Sequence, residues 1–131
     1  MIVGFLGDVH GSALHACSLL AKWTSVNGRK LDMIVQLGDI GIMPDSAAPE
    51  PPYDRYIKWN KSIYDLFYLP RAVGLNAIIL NRVREHIGKP ILFIRGNHDD
   101  QPQYSDLQQT VAGTGIPIDP FDIFRYVPDG T

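Results

Sequence analysis

Apolar residues gather in three short runs along this chain: Met1-Ile2-Val3-Gly4-Phe5-Leu6, Met33-Ile34-Val35-Gln36-Leu37 and Ile91-Leu92-Phe93-Ile94. Runs of this length, apolar without strict alternation, suit short strands buried within a parallel sheet. Between the first two, Ser12 is placed to cap a helix whose apolar positions, Leu14, Cys17, Leu20 and Ala21, recur at helical spacing up to about Trp23. Thr24 to Lys30 is polar and contains Asn27-Gly28, a turn signal. Strand, helix and strand in this order predict a right-handed βαβ unit. A second helix is expected from Asn76, as cap, through Ala77, Leu80, Val83 and Ile87, with Gly88 and Pro90 as its stop.

The pattern is less regular elsewhere. Pro44, Pro49, Pro51 and Pro52 interrupt the chain after Gly41, and Tyr53, Tyr56, Ile57, Trp59, Ile63, Tyr64, Phe67 and Tyr68 follow among Arg55, Lys58, Lys61 and Arg71. An irregular helix packing on the domain is the preferred reading, because an apolar stripe at helical spacing usually faces a core. A substrate-facing insertion, with rings to stack and cations to meet phosphate, is the other. Gln101 to Val111 reads as a short polar helix and Gly113, Gly115, Pro117 and Pro120 as a loop. Phe124 to Val127 reads as a strand, and Pro128-Asp129-Gly130-Thr131 as a hairpin turn.

Composition narrows the class. The 131 residues, 45% hydrophobic, suit one domain with a modest core. A net charge of −2 gives no general attraction to nucleic acid or anionic membrane, so recognition of phosphate has to be local. The apolar opening is short and lacks a basic leader, and no apolar run is long enough to span a bilayer, so a cytoplasmic protein without membrane contact is expected. The single cysteine, Cys17, falls on the apolar face of the first helix and reads as a core thiol.

Each apolar run ends in a glycine followed by side chains able to bind metal or move protons: Gly7-Asp8-Val9-His10-Gly11, Gly38-Asp39 and Gly96-Asn97-His98-Asp99. Asp8 and His10, two apart in extended chain, point the same way and can grip one divalent ion. Open α/β sheets collect ligands at the carboxyl ends of their strands, so the three blocks suggest one shared site. Taken singly, Asp8 and Asp39 could instead cap the elements that follow them, Asn97 could be a turn residue and His98 a loop histidine. His15 is one helical turn from the first block but reads as a solvated helix residue. His86, in the last turn of its helix, suits the negative end of the helix dipole.

In order and at strand ends, these three blocks resemble the calcineurin-like metallophosphoesterases, over Met1 to about Asp100. The resemblance implies the α/β sandwich of that family, with this chain supplying its N-terminal half as βαβ units. It implies two divalent metal ions, Mn²⁺, Fe or Zn²⁺, with Asp8 and His10 on the first, Asp39 bridging both and Asn97 on the second. It makes His98 the acid or electrostatic partner beside the ions, and it implies a phosphate mono- or diester of a small molecule or nucleotide as substrate. Arg95, just before the third block, could meet the substrate phosphate or lie in solvent.

Two departures qualify the match. In protein serine/threonine phosphatases the second block reads GDxxDRG, whereas Gly38-Asp39-Ile40-Gly41-Ile42 has isoleucine at the second acidic position and no arginine nearby. The family also completes its site with histidines after the third block, commonly in a GHxH, while the histidines here are His10, His15, His86 and His98. The second metal therefore keeps only Asp39 and Asn97. The expectation is a hydrolase domain incomplete at its C-terminus, requiring downstream ligands, with a non-catalytic binding or regulatory module as the alternative. An uncovered sheet edge and apolar face would follow, hence self-association or a partner chain that completes the fold.

Overall fold

The structure is a computed structural model and describes residues 1–9, 12–40, 72–96 and 115–128. Five strands, β1 (Val3–Leu6), β2 (Met33–Gln36), β3 (Ile91–Phe93), β4 (Ile116–Pro117) and β5 (Phe124–Tyr126), form one sheet in the order β1-β2-β3-β5-β4. Two helices, α1 (Ala13–Asn27) and α2 (Leu75–Ile87), complete the described elements. The pairs β1–β2, β2–β3 and β3–β5 are parallel, and β4 runs antiparallel to β5. This is the mixed α/β architecture expected of the N-terminal half of a metallophosphoesterase fold.

Register shows why the apolar runs work as strands. Leu6 lies beside Gln36, Gln36 beside Phe93, and Phe93 beside Tyr126, while Ile34, Ile91 and Phe124 form the next row. Two right-handed crossovers stepping the same way place both helices on one face. On that face Ile34, Ile91, Phe93, Phe124 and Tyr126 join Ala13, Cys17 and Leu20 of α1 and Leu80 and Ile87 of α2 in one buried cluster, with Leu6 partly buried against it. Burying each such large apolar side chain is worth about 1.5–3 kcal/mol. The Phe93 and Tyr126 rings sit 5.5 Å apart within it, and Cys17 is buried as expected. The other face is more open at the β1 edge, where Phe5 and Met33 are exposed.

Three boundaries differ from the sequence reading, each for a local reason. α1 continues past Trp23 to Asn27, because Thr24 Oγ1 donates to the Leu20 carbonyl at 3.0 Å and Asn27 Nδ2 to the Trp23 carbonyl at 2.8 Å, so polar side chains extend the last turn. α2 begins at Leu75 with Gly74 in the capping position, which puts Asn76 inside the first turn. The loop expected around Pro117 contains β4. A proline is tolerated there because β4 lies at the sheet edge, where one side of the strand needs no donor.

Both helices close on a left-handed glycine, Gly28 and Gly88, whose N–H groups donate to Thr24 and Arg84 carbonyls. Before β5, the buried Asp119 carboxylate accepts the N–H groups of Phe121, Ile123 and Phe124 at 2.9, 3.2 and 2.8 Å. Burial pushes this carboxyl above its ordinary range despite those donors. The next acid, Asp122, sits at a φ of 56° and pairs with Arg125 at 2.6 Å and Arg84 at 3.4 Å, which joins α2 to β5. The Arg125 hydrogen bond holds Asp122 below the usual carboxylate range. Among the described residues, no helix is long and apolar enough to cross a membrane. The aromatic segment between Gly41 and Arg71, the helix expected over 101–111 and the turn at Asp129-Gly130 lie outside the described residues.

Candidate metal centre

Because β1, β2 and β3 run parallel, their carboxyl ends meet at one edge of the sheet. Gly7-Asp8, Gly38-Asp39 and Arg95-Gly96 leave the strands there, so the three blocks converge as far as the described residues extend. Asp8 is exposed and lines an open groove of about 360 Å³ with Gly7, Val9, Ser12 and His15. α1 starts beside it: the Ser12 N–H donates to the Val9 carbonyl at 3.0 Å, and Ala16 N–H to the Ser12 carbonyl at 3.1 Å. His15 is thus on the rim of the same groove while remaining exposed, which satisfies both sequence readings of it. His86 is exposed in the last turn of α2, at the opposite end of the sheet, where the chain turns through Gly88 into β3.

The second block is bent sharply. Gly38 has a φ of 95° and Asp39 one of 54°, the latter in the left-handed region that aspartate tolerates better than most side chains. The turn folds Asp39 over the end of β3. A Cβ placed on Gly96 would fall on the Asp39 carboxyl group and its backbone nitrogen, and one on Gly38 would come within 3.2 Å of the Gly96 Cα. Glycine at both positions is therefore a requirement of close approach between the second and third blocks. The half-buried Asp39 carboxylate is held at the junction of two strand ends.

A residue that sequence reasoning passed over ties the first block to the second. Gln36, the last residue of β2, is fully buried. Its Nε2 donates to the Gly7 carbonyl at 2.9 Å and also to the Gly38 carbonyl, while its Oε1 accepts the Gly38 N–H at 2.9 Å. The available signal was a lone amide at an inward position of an apolar strand, just before Gly-Asp, since buried polar side chains require partners.

Asp8 and Asp39 are thus brought to one sheet edge; His10, Asn97, His98 and Asp99 lie outside the described residues. Among the described residues no group of three or more histidines, cysteines, aspartates or glutamates is assembled. The donors that are described fit a divalent cation nonetheless: two carboxylates suit hard or borderline metals, and Gly96 leaves space for one of them. Arg95 is half-buried, and its carbonyl approaches Gly38.

A family model described as calcineurin-like phosphoesterase matches residues 1–130. No curated protein and no solved structure matches the chain.

Proposed function

The chain belongs to the calcineurin-like phosphoesterases, a family of metal-dependent hydrolases, and on that premise we propose that its sheet edge carries a two-metal site for hydrolysis of a phosphate mono- or diester. Asp8 and His10 hold the first ion, Asp39 bridges to the second, and Asn97 binds the second. The observation that carries the reading is the bend at Gly38-Asp39, which lays one carboxylate across the ends of β2 and β3.

When bound, a pair of Mn²⁺, Fe or Zn²⁺ ions supplies an activated water and neutralises charge on the phosphate oxygens. The residues of the chain do the rest. Asp39 would hold both ions and offset the repulsion between them. His98, two residues beyond Gly96, donates a proton to the departing oxygen, a task suited to an imidazole near neutral pH. Arg95 offers its guanidinium to the substrate phosphate. Leaving the groove beside Asp8 open admits a small-molecule or nucleotide ester without closing over it.

One observation favours a second reading, in which the chain binds metal or a phosphate ester without hydrolysing it. The sequence has 4 histidines and none after His98, so within these residues Asp39 and Asn97 are the candidates for the second ion. Hydrolysis of an aryl phosphate monoester and of its diester, assayed with Mn²⁺, separates the two. With downstream ligands or a partner chain completing the site, metal-dependent turnover is expected, lost in Asp39→Asn and reduced about 10²–10⁴-fold in His98→Ala, the usual worth of a general acid. Full activity in both variants would overturn the assignment, and Mn²⁺ binding without any turnover would replace it with the binding reading.

A further inference from the structure

We propose that Gln36 is a positioning residue, which sets the separation and aim of Asp8 and Asp39 by holding the backbone of both turns with one side-chain amide. The inference rests on the reading of these two aspartates as metal ligands.

Gln36 is placed where an amide is least expected. Its neighbours across the strands on the helix-covered face are Leu6 and Phe93, and Ile34 precedes it on the same face. An apolar side chain of similar length would fill this position without the cost of desolvating an amide. The amide is nevertheless fully used: both kinds of donor contact, to Gly7 and Gly38 carbonyls, and the acceptor contact from the Gly38 N–H are made.

What these contacts hold is specific. The Gly7 carbonyl belongs to the planar peptide unit whose nitrogen is that of Asp8, and the Gly38 carbonyl belongs to the unit whose nitrogen is that of Asp39. One planar amide therefore fixes two peptide planes, and each plane launches one carboxylate. The second turn also needs such support. Gly38 and Asp39 both have positive φ, and a left-handed non-glycine residue persists only where its surroundings over-determine it. By gripping Gly38 at both its N–H and its carbonyl, Gln36 supplies that constraint immediately before the bridging carboxylate. The hydrogen bonds of Gln36 go to Gly7 and Gly38 rather than to the aspartates, so its action on the metal is through their backbone.

The test compares Gln36→Met, which keeps length and removes every hydrogen bond, with Ile34→Val, an apolar trim two residues earlier on the same face. Mn²⁺ affinity is measured by calorimetry on the full chain, with urea unfolding on the same samples. Loss of a group that orients metal ligands typically weakens metal binding about 10–100-fold, and that is expected for Gln36→Met. Ile34→Val should lose stability and bind Mn²⁺ as the unmodified protein does. A folded Gln36→Met with unmodified affinity would overturn the inference. A second measurement needs no variant: in the unmodified protein, Zn²⁺ should slow hydrogen exchange at the Gly38 amide, and unchanged exchange with Zn²⁺ bound would also overturn it. Absence of Mn²⁺ binding in the unmodified protein and in Ile34→Val alike would instead overturn the metal-ligand reading, and the inference with it.

Discussion

Replacing Gly96 with alanine probes the contact on which the candidate centre depends. The added methyl would meet the Asp39 carboxyl group and also its backbone nitrogen, so rotation of a flexible side chain cannot relieve the overlap. Either the Gly38-Asp39 turn or the end of β3 has to move. Overpacking of this kind costs about 1–3 kcal/mol. Gly96 has no positive φ, so alanine is allowed by the backbone and recovers about 0.4–1 kcal/mol by restricting the unfolded chain. The net expectation is a loss of about 1–2 kcal/mol. With a urea dependence of about 2 kcal/mol per molar, the unfolding midpoint should fall by about 0.5–1 M. Mn²⁺ affinity should fall as well, because the group displaced is the proposed bridging ligand. Gly7→Ala is the matched control: nothing lies within 4 Å of its added Cβ, and its effect should stay within about 0.5 kcal/mol of neutral or be mildly stabilising. A Gly96→Ala midpoint at or above that of the unmodified protein, with unaltered Mn²⁺ binding, would refute the described approach of the two blocks.

Two further outcomes follow from the corner before β5 and from the core. Asp122→Asn keeps a side chain that tolerates the left-handed turn but removes the charge facing Arg125 and Arg84. Because the Arg125 hydrogen bond holds the folded Asp122 carboxyl below the usual carboxylate range, its contribution is present at higher pH and is lost as pH falls through the lowered folded value. A third of the side chain is exposed, so solvent screening limits the loss in Asp122→Asn to about 1 kcal/mol at pH 7; urea unfolding at pH 7 and pH 3 should show the difference shrinking, and an equal difference at both would count against it. Cys17 should react with an aromatic disulfide reagent only as fast as the protein unfolds, being 2% exposed; rapid labelling without denaturant would place it outside the core.

The parts of this fold carried by short-range physics were readable from residue order. The runs ending at Leu6, Leu37 and Ile94 became adjacent parallel strands because an apolar run followed by glycine announces both a buried strand and a turn, and right-handed crossovers leave few ways to connect them. Gly28 and Gly88 likewise mark helix ends through local capping geometry, whereas Ser12 stands at the N-cap position of α1 without a side-chain cap hydrogen bond. Readings failed where distant partners decided. Pro117 looked like a loop residue until β5 offered an edge to pair with. Asn76 is a good cap in isolation, but Gly74 takes the capping position two residues earlier. Gln36 drew no reading within the run of β2, since one of its partners, the carbonyl of Gly7, is 29 residues away. In the candidate site, residue types could be named from the blocks alone, whereas the closeness of Asp39 to Gly96 depends on how two separate turns pack.

The buried amide at Gln36 also bears on how the sheet avoids being assembled wrongly. Both faces of β2 are apolar, with Ile34 on one and Met33 and Val35 on the other, so burial alone barely distinguishes the native alignment from one displaced by a single residue. Such a displacement would turn Gln36 to the opposite face. A displacement by two residues would preserve the faces yet carry the amide about 6.6 Å along the strand, beyond reach of the Gly7 carbonyl. In either case a polar side chain or a turn carbonyl loses its partner, at about 1–3 kcal/mol for each buried group left unsatisfied. The side chain that spaces the two aspartates thus also rejects misaligned sheets, so a chain able to complete its strand pairing arrives with its carboxylates already placed.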